Sequence, residues 1–159
     1  MAGPFSYRQA QEIASVFGRN GIQYLFIGKS GAIILGFPDT TQDADIFVKK
    51  SVENCRALVR GLLELGFPLN PQQQEEVLRG KDFVQLREGP FDLDLVFAPD
   101  GIERFEDAEA RSLLVEGLPV CHLDDIIRSN EEAGRVKDRE SLPRLRAFRD
   151  WWFEQRRKA

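Results

Sequence analysis

Only two cysteines and a single histidine occur in the 159 residues, and no apolar stretch is long enough to cross a bilayer. Each scarcity removes a class of protein. Cys55 and Cys121 are too few for a disulfide scaffold and form no CxxC or zinc-ribbon spacing, which points to a reducing, cytoplasmic setting. The one histidine, His122, lies beside a predicted strand end, which suits a structural role better than a catalytic one. Residues 1–8 lack the basic-then-apolar layout of a signal peptide, so neither secretion nor membrane insertion is expected. What remains is 42% hydrophobic and 30% charged, the composition of one globular domain. A chain of this size buries roughly two thirds of its unfolded surface and needs no structural metal to fold.

Charge is uneven. Residues 135–159 carry nine basic and four acidic side chains, a local +5 that leaves −9 on the rest of a chain whose net charge is −4. A basic end beside an acidic body either attracts phosphates or docks as a solvated helix face on its own domain.

Periodicity lays out an α+β order. Ser6 and Gln9 have capping-box spacing before a helical stripe of Ala10, Ile13, Ala14 and Phe17. Residues 22–27 form an apolar strand that runs into Gly28-Lys29-Ser30-Gly31, followed by a brief helix over 32–35 and a turn at Gly36, Pro38 and Asp39. A second strand spans 43–48. Ser51 caps a helix with Cys55, Leu58, Val59, Leu62 and Leu63 on one face and Gly66 at its end. Residues 68–80 read as a loop or short exposed helix, and 83–87 and 91–97 as a hairpin through Glu88-Gly89-Pro90. A helix over 102–114 and a short strand at 118–121 follow. Asp124 or Asp125 caps the next helix, which Gly134 ends, and the last helix carries Leu142, Leu145, Phe148 and Trp152, with Pro143 in its first turn or at a kink. The expected whole is one domain over 1–159: a small mixed β-sheet flanked by helices, with a C-terminal helical segment from about 123 to 159.

The informative segment is Thr41-Gln42-Asp43-Ala44-Asp45-Ile46-Phe47-Val48. Residues i and i+2 of a strand share a face, so Asp43 and Asp45 project together away from Ala44 and Ile46. Phe91-Asp92-Leu93-Asp94-Leu95-Val96-Phe97 repeats the device. Like charges on one face repel, so such pairs occur at exposed strand starts or share a cation. If the two strands are neighbours, up to four carboxylates converge, the hard oxygen set that suits Mg²⁺ and phosphoryl displacement. Gly28 to Gly31 is either a tight strand-to-helix turn or a phosphate cradle. It is not a Walker A loop, because the position that needs the first glycine is Gln23.

Together these residues resemble the minimal nucleotidyltransferases of the polymerase-beta-like superfamily. The likeness runs through Tyr24-Leu25-Phe26-Ile27-Gly28, Gly36, the Thr41 to Val48 strand and Phe91 to Val96. Leu123-Asp124-Asp125-Ile126-Ile127 and Gly134-Arg135-Val136-Lys137-Asp138 look like the closing segment of the uncharacterised and abortive-infection-type branches, so the resemblance covers about residues 22–150. It implies a nucleotidyltransferase-like fold and transfer of a nucleoside monophosphate from an NTP to a hydroxyl of an RNA or protein acceptor, with release of pyrophosphate. It also implies that Asp43 and Asp45 hold Mg²⁺ or Mn²⁺, and that Asp94, rather than Asp92, completes the metal site and helps activate the acceptor. Gly28, Lys29 and Ser30 would line the phosphates, with Arg135 and Lys137 offsetting their charge. Lys29 stands where relatives place Gly or Ser, and Asn130 where they often place Lys. These departures leave room for a weak or inactive member serving as an antitoxin-like binding partner. A DxD glycosyltransferase is the remaining alternative, and a homo-oligomer or partner protein would hold the acceptor.

Overall fold

The computed structural model describes residues 4–158, and of Lys137 only the main chain. Chain order is α1 (Tyr7–Arg19), β1 (Tyr24–Ile27), α2 (Gly28–Ile34), β2 (Asp43–Val48), α3 (Val52–Leu65), α4 (Pro71–Leu78), β3 (Phe83–Leu86), β4 (Asp92–Val96), α5 (Phe105–Arg111), β5 (Leu113–Val115), β6 (Leu118–Val120), α6 (Leu123–Ala133) and α7 (Val136–Lys158). The strands form one mixed sheet in the order β3-β4-β2-β1-β6-β5. β2 runs parallel to β4 and antiparallel to β1, β1 runs parallel to β6, and β3–β4 and β5–β6 are antiparallel hairpins.

Local chemistry explains most of these elements. Ser6 accepts from the Gln9 main-chain N–H while the Gln9 side chain accepts from Ser6, the reciprocal cap expected for α1. Gly66 ends α3 at φ 104°, a left-handed value that glycine reaches without steric cost. Within 68–80, Asn70 and Gln73 form a second capping box and Pro71 opens α4, so that stretch is a helix rather than a loop.

Four boundaries differ from the periodicity reading. The helix after β1 begins at Gly28 and not at residue 32, so Gly28 to Gly31 is its first turn. The helix expected over 102–114 stops at Arg111, because Leu113–Val115 is recruited as β5, paired with β6 across a Glu116-Gly117 turn with φ of 49° and 84°. α6 is capped by His122, whose Nδ1 accepts from the Asp124 N–H at 3.1 Å, rather than by either aspartate. Asp125 is instead buried and paired with Arg111 at 2.9 Å and Arg128 at 3.4 Å. Finally, α7 starts at Val136, which places Pro143 inside the helix and not in its first turn.

The two faces of β2 have different fates. Ala44, Ile46 and Val48 have no solvent exposure, and Leu93 and Leu95 of β4 share that burial. On the opposite face Asp43 and Asp45 are followed by Phe47, whose ring meets Phe105 of α5 at 5.1 Å. The acids therefore occupy the open end of a face that closes over further along the strand. Leu142, Leu145, Phe148 and Trp152 are buried as the stripe predicted, with Phe148 edge-on to Phe37. The arginines off that stripe dock α7 on its own domain: Arg144 pairs with Asp39 at 3.1 Å, Arg146 with Glu131 at 3.5 Å and Arg149 with Asp124 at 3.8 Å.

Asn54 of α3 fixes the helix to the sheet. Its Oδ1 accepts from the Gln23 N–H at 2.8 Å, and its Nδ2 donates to the carbonyls of Gln23 at 3.0 Å and Lys49 at 2.7 Å. One buried amide thus ties the start of β1 to the end of β2. Asn54→Ala would remove the side-chain partner of the Gln23 N–H and the Lys49 carbonyl, while the Gln23 carbonyl keeps the Lys49 N–H, and should cost about 2–4 kcal/mol, read as a lower denaturation midpoint with an unchanged m-value.

Candidate active site

The parallel pairing of β2 with β4 sets Asp43 beside Asp92 and Asp45 beside Asp94. All four side chains share one face, as alternation requires. The sequence pattern supplies the acids, and the register, which no pattern reports, brings them together. Asp94 is buried at 3% exposure, whereas Asp43, Asp45 and Asp92 are partly open. The Asp45 and Asp94 carboxylates are close neighbours.

Close approach is possible because Gly28 has no side chain. Its φ is +65°, and a Cβ there would lie 2.5 Å from Oδ2 of Asp45. Gly28 is thus required twice, by its backbone and by the carboxylate against it. Ser30 plays a different part from the one expected. It is fully buried, its Oγ donates to the Ile27 carbonyl at 2.9 Å and accepts from the Asp45 N–H at 2.9 Å, and so it clamps α2 to β2 from behind the cleft. Lys29 does line the cleft, with Nζ 3.1 Å from Asp39.

The opening has two lobes that share Gly28, Asp45, Asn130 and Arg135. One, of about 320 Å³, extends over β3 and β4 to Phe83, Val96 and Pro99. The other, of about 100 Å³, lies between Lys29, Thr41 and Asp43 on one side and Asp138 and Ser141 of α7 on the other. Arg135 reaches the cleft as predicted, held by Asp138 at 2.7 Å, and its pKa rises through that bond and through the field of Asp45 and Asp94. The side chain of Lys137 lies outside the described residues.

Arg87 is the participant that motif reading missed. One of its guanidinium nitrogens sits 2.8 Å from Oδ1 of Asp94 and 3.5 Å from Oδ2 of Asp43. The signal was present in the hairpin: Gln85 is opposite Asp94, so two residues further Arg87 falls beside Asp92 on the acid face. Among the described residues no three acids stand as a ready metal-ligand set, and a guanidinium occupies the position between two of them. Burial pushes the Asp94 carboxyl above its usual range, Arg87 opposes the shift, and Asp43 adds to it.

The comparisons with known proteins agree with this architecture. No family model matches the chain, and no curated protein matches it in sequence. Among solved structures, the chain is similar to lincosamide antibiotic adenylyltransferase LnuA with lincomycin bound, at a TM-score of 0.61 and 12% identity over 91% of this chain and 98% of that one. It is also similar to TM1012 of Thermotoga maritima, whose assignment as a nucleotidyltransferase is itself inferred, at 0.57 and 19% over 92% of each chain. The chain has the nucleotidyltransferase fold. No helix is long and apolar enough to cross a membrane among the described residues.

Two variants test this geometry. Gly28→Ala should push the Asp45 carboxylate out of place and add left-handed strain of roughly 1–2 kcal/mol, seen as a lowered melting temperature and a displaced Asp45 in a crystal structure. Asp94→Asn should do the opposite to stability. Because the folded-state pKa of Asp94 lies above the ordinary 3.8, its charged form opposes folding at neutral pH and the opposition disappears as pH falls. The variant should unfold later than wild type at pH 7, and the gain should shrink as pH falls through the carboxylate range.

Proposed function

We propose that the protein is a metal-dependent nucleotidyltransferase, moving a nucleoside monophosphate from an NTP to an acceptor hydroxyl and releasing pyrophosphate. The observation that carries the reading is the in-register block of Asp43, Asp45 and Asp94 beside Gly28, within the nucleotidyltransferase fold. LnuA is described as an adenylyltransferase, which agrees with that chemistry. The C-terminal residues 123–127 and 134–138 are what favours an abortive-infection-type branch, and the buried, free Cys55 and Cys121 are consistent with a reducing cytoplasm.

The donor set fits a hard divalent cation. Carboxylate oxygens from two strands share one face, Asp94 Oδ1 is buried without a hydrogen bond, and the missing Cβ of Gly28 leaves Asp45 room. Asp43 and Asp45 would hold Mg²⁺ or Mn²⁺, with Asp94 completing the set. Bound there, the ion would neutralise triphosphate charge and polarise the phosphoryl group.

The chain's own residues do the rest. Lys29 and Arg135 flank the shared part of the cleft and would orient the phosphates as fixed positive charges. Asp94, with its raised proton affinity, would take the acceptor hydroxyl proton as the new oxygen–phosphorus bond forms and the bond to pyrophosphate breaks. The larger lobe, on the Asp94 side of the sheet, would receive the acceptor, an RNA or protein hydroxyl. A second reading, a weak or inactive antitoxin-like binding protein, draws on one observation: Arg87 already forms ion pairs with two of the acids.

A thermal-shift titration with each NTP separates the readings. Wild type should gain on the order of 5 °C with saturating NTP and Mg²⁺, and Asp45→Asn should lose that gain. Stabilisation by no nucleotide would favour the binding protein.

A further inference from the structure

Among the described residues, Arg87, just past the end of β3, touches the acid block with its guanidinium. A single nitrogen approaches both Asp43 and Asp94, on different strands, and Asp92 adds to the field it feels. Its contact with Asp94 Oδ1 is close yet lacks hydrogen-bond geometry, so that buried oxygen is left without a hydrogen bond. The arginine follows directly on the last residue of β3, its side chain is 38% exposed, and its other recorded bond is a long 3.4 Å donation to the Leu86 carbonyl. The partial exposure leaves the guanidinium in contact with solvent, and a guanidinium is weakly hydrated and well shaped for phosphate.

We propose that Arg87 is the resident counter-ion of the acid block and the residue that sets its affinity for divalent cations. Guanidinium and metal use the same oxygens of Asp43 and Asp94, so they bind in competition. A bare divalent cation must displace a positive charge that has nowhere better to go. A cation that arrives on a triphosphate brings the anion that receives Arg87, and the exchange becomes favourable. The metal therefore loads with the nucleotide. This order rests on the nucleotidyl-transfer reading, whereas the competition at Asp43 and Asp94 does not.

The test is a Mn²⁺ titration followed by electron paramagnetic resonance of the free ion, on wild type, Arg87→Gln and Arg87→Lys, with and without ATP. Arg87→Gln should bind bare Mn²⁺ about tenfold more tightly than wild type or better, in keeping with the coupling of close charge pairs. Arg87→Lys, a compact charge that cannot span two carboxylates in a fork, should fall between them, and it carries the comparison if the glutamine variant does not fold. Wild type should gain Mn²⁺ affinity on adding ATP, and Arg87→Gln should gain less. Equal or weaker binding of bare Mn²⁺ by both variants overturns the role of Arg87 and leaves nucleotidyl transfer standing. Absence of Mn²⁺ binding in every protein, with ATP present, overturns both.

Discussion

Repulsion between carboxylates on adjacent strands is the constraint around which the molecule is arranged. Parallel strands lie about 4.8 Å apart, and two like charges at that separation repel by roughly 3 kcal/mol at an effective dielectric of about 20. The β2–β4 register imposes that geometry twice, at Asp43/Asp92 and Asp45/Asp94. A fold selected for stability alone would place the acids at opposite edges or replace them. Here the acid-bearing strands occupy the middle of the sheet, flanked by β1 and β3. Each flank supplies part of the answer: β1 delivers Gly28, which yields space to Asp45, and β3 delivers Arg87, which supplies opposite charge.

Burial then differentiates chemically equal groups. Asp94 lies deepest and holds its proton more firmly than an exposed aspartate, whereas Asp43 and Asp45 keep partial access to solvent. One face of one sheet therefore carries a buried acid beside partly open ones, the division of labour that the proposed chemistry would use. Asp39 shows the reverse case outside the block. The Thr40 N–H, then Lys29 and Arg144, hold its carboxyl below the usual range, so it stays charged and links the cleft rim to α7.

Sequence reasoning reached the elements that depend on local rules. The Ser6 and Gln9 cap, the α3 helix with Gly66, the 83–97 hairpin and both aspartate-bearing strands are set by spacing alone and are present, although the buried face of α3 is Cys55, Leu58 and Leu62 with Ala57 and Gly61, and the expected Leu63 is 47% exposed. It failed where tertiary pairing overrides propensity. Leu113–Val115 continued a helical apolar pattern until β6 offered a partner, and Glu116-Gly117 was the turn signal that marked the change. Ser30 fell inside a suggestive tetrapeptide, and only its burial reveals that the hydroxyl serves the β2 main chain. Arg87 escaped because motif reading follows acids along one strand, whereas its relevance is a cross-strand fact.

The charge imbalance between the C-terminal segment and the rest of the chain resolves in the same terms. Of the basic residues beyond position 134, Arg144, Arg146 and Arg149 are engaged in attaching α7 to the domain, and Arg135 is the described one that lines the cleft. Among the described residues, the cationic groups lining the opening or touching its acids each have an anionic partner: Lys29 has Asp39, Arg135 has Asp138, and Arg87 has Asp43 and Asp94. A polyanion entering the cleft cannot draw on these charges without breaking an existing pair, and it meets the acid block as it does so. A polyanion that brought positive charge of its own would lessen both costs. The same charge arrangement is why the proposed nucleotide would be expected to enter together with a divalent cation and not alone.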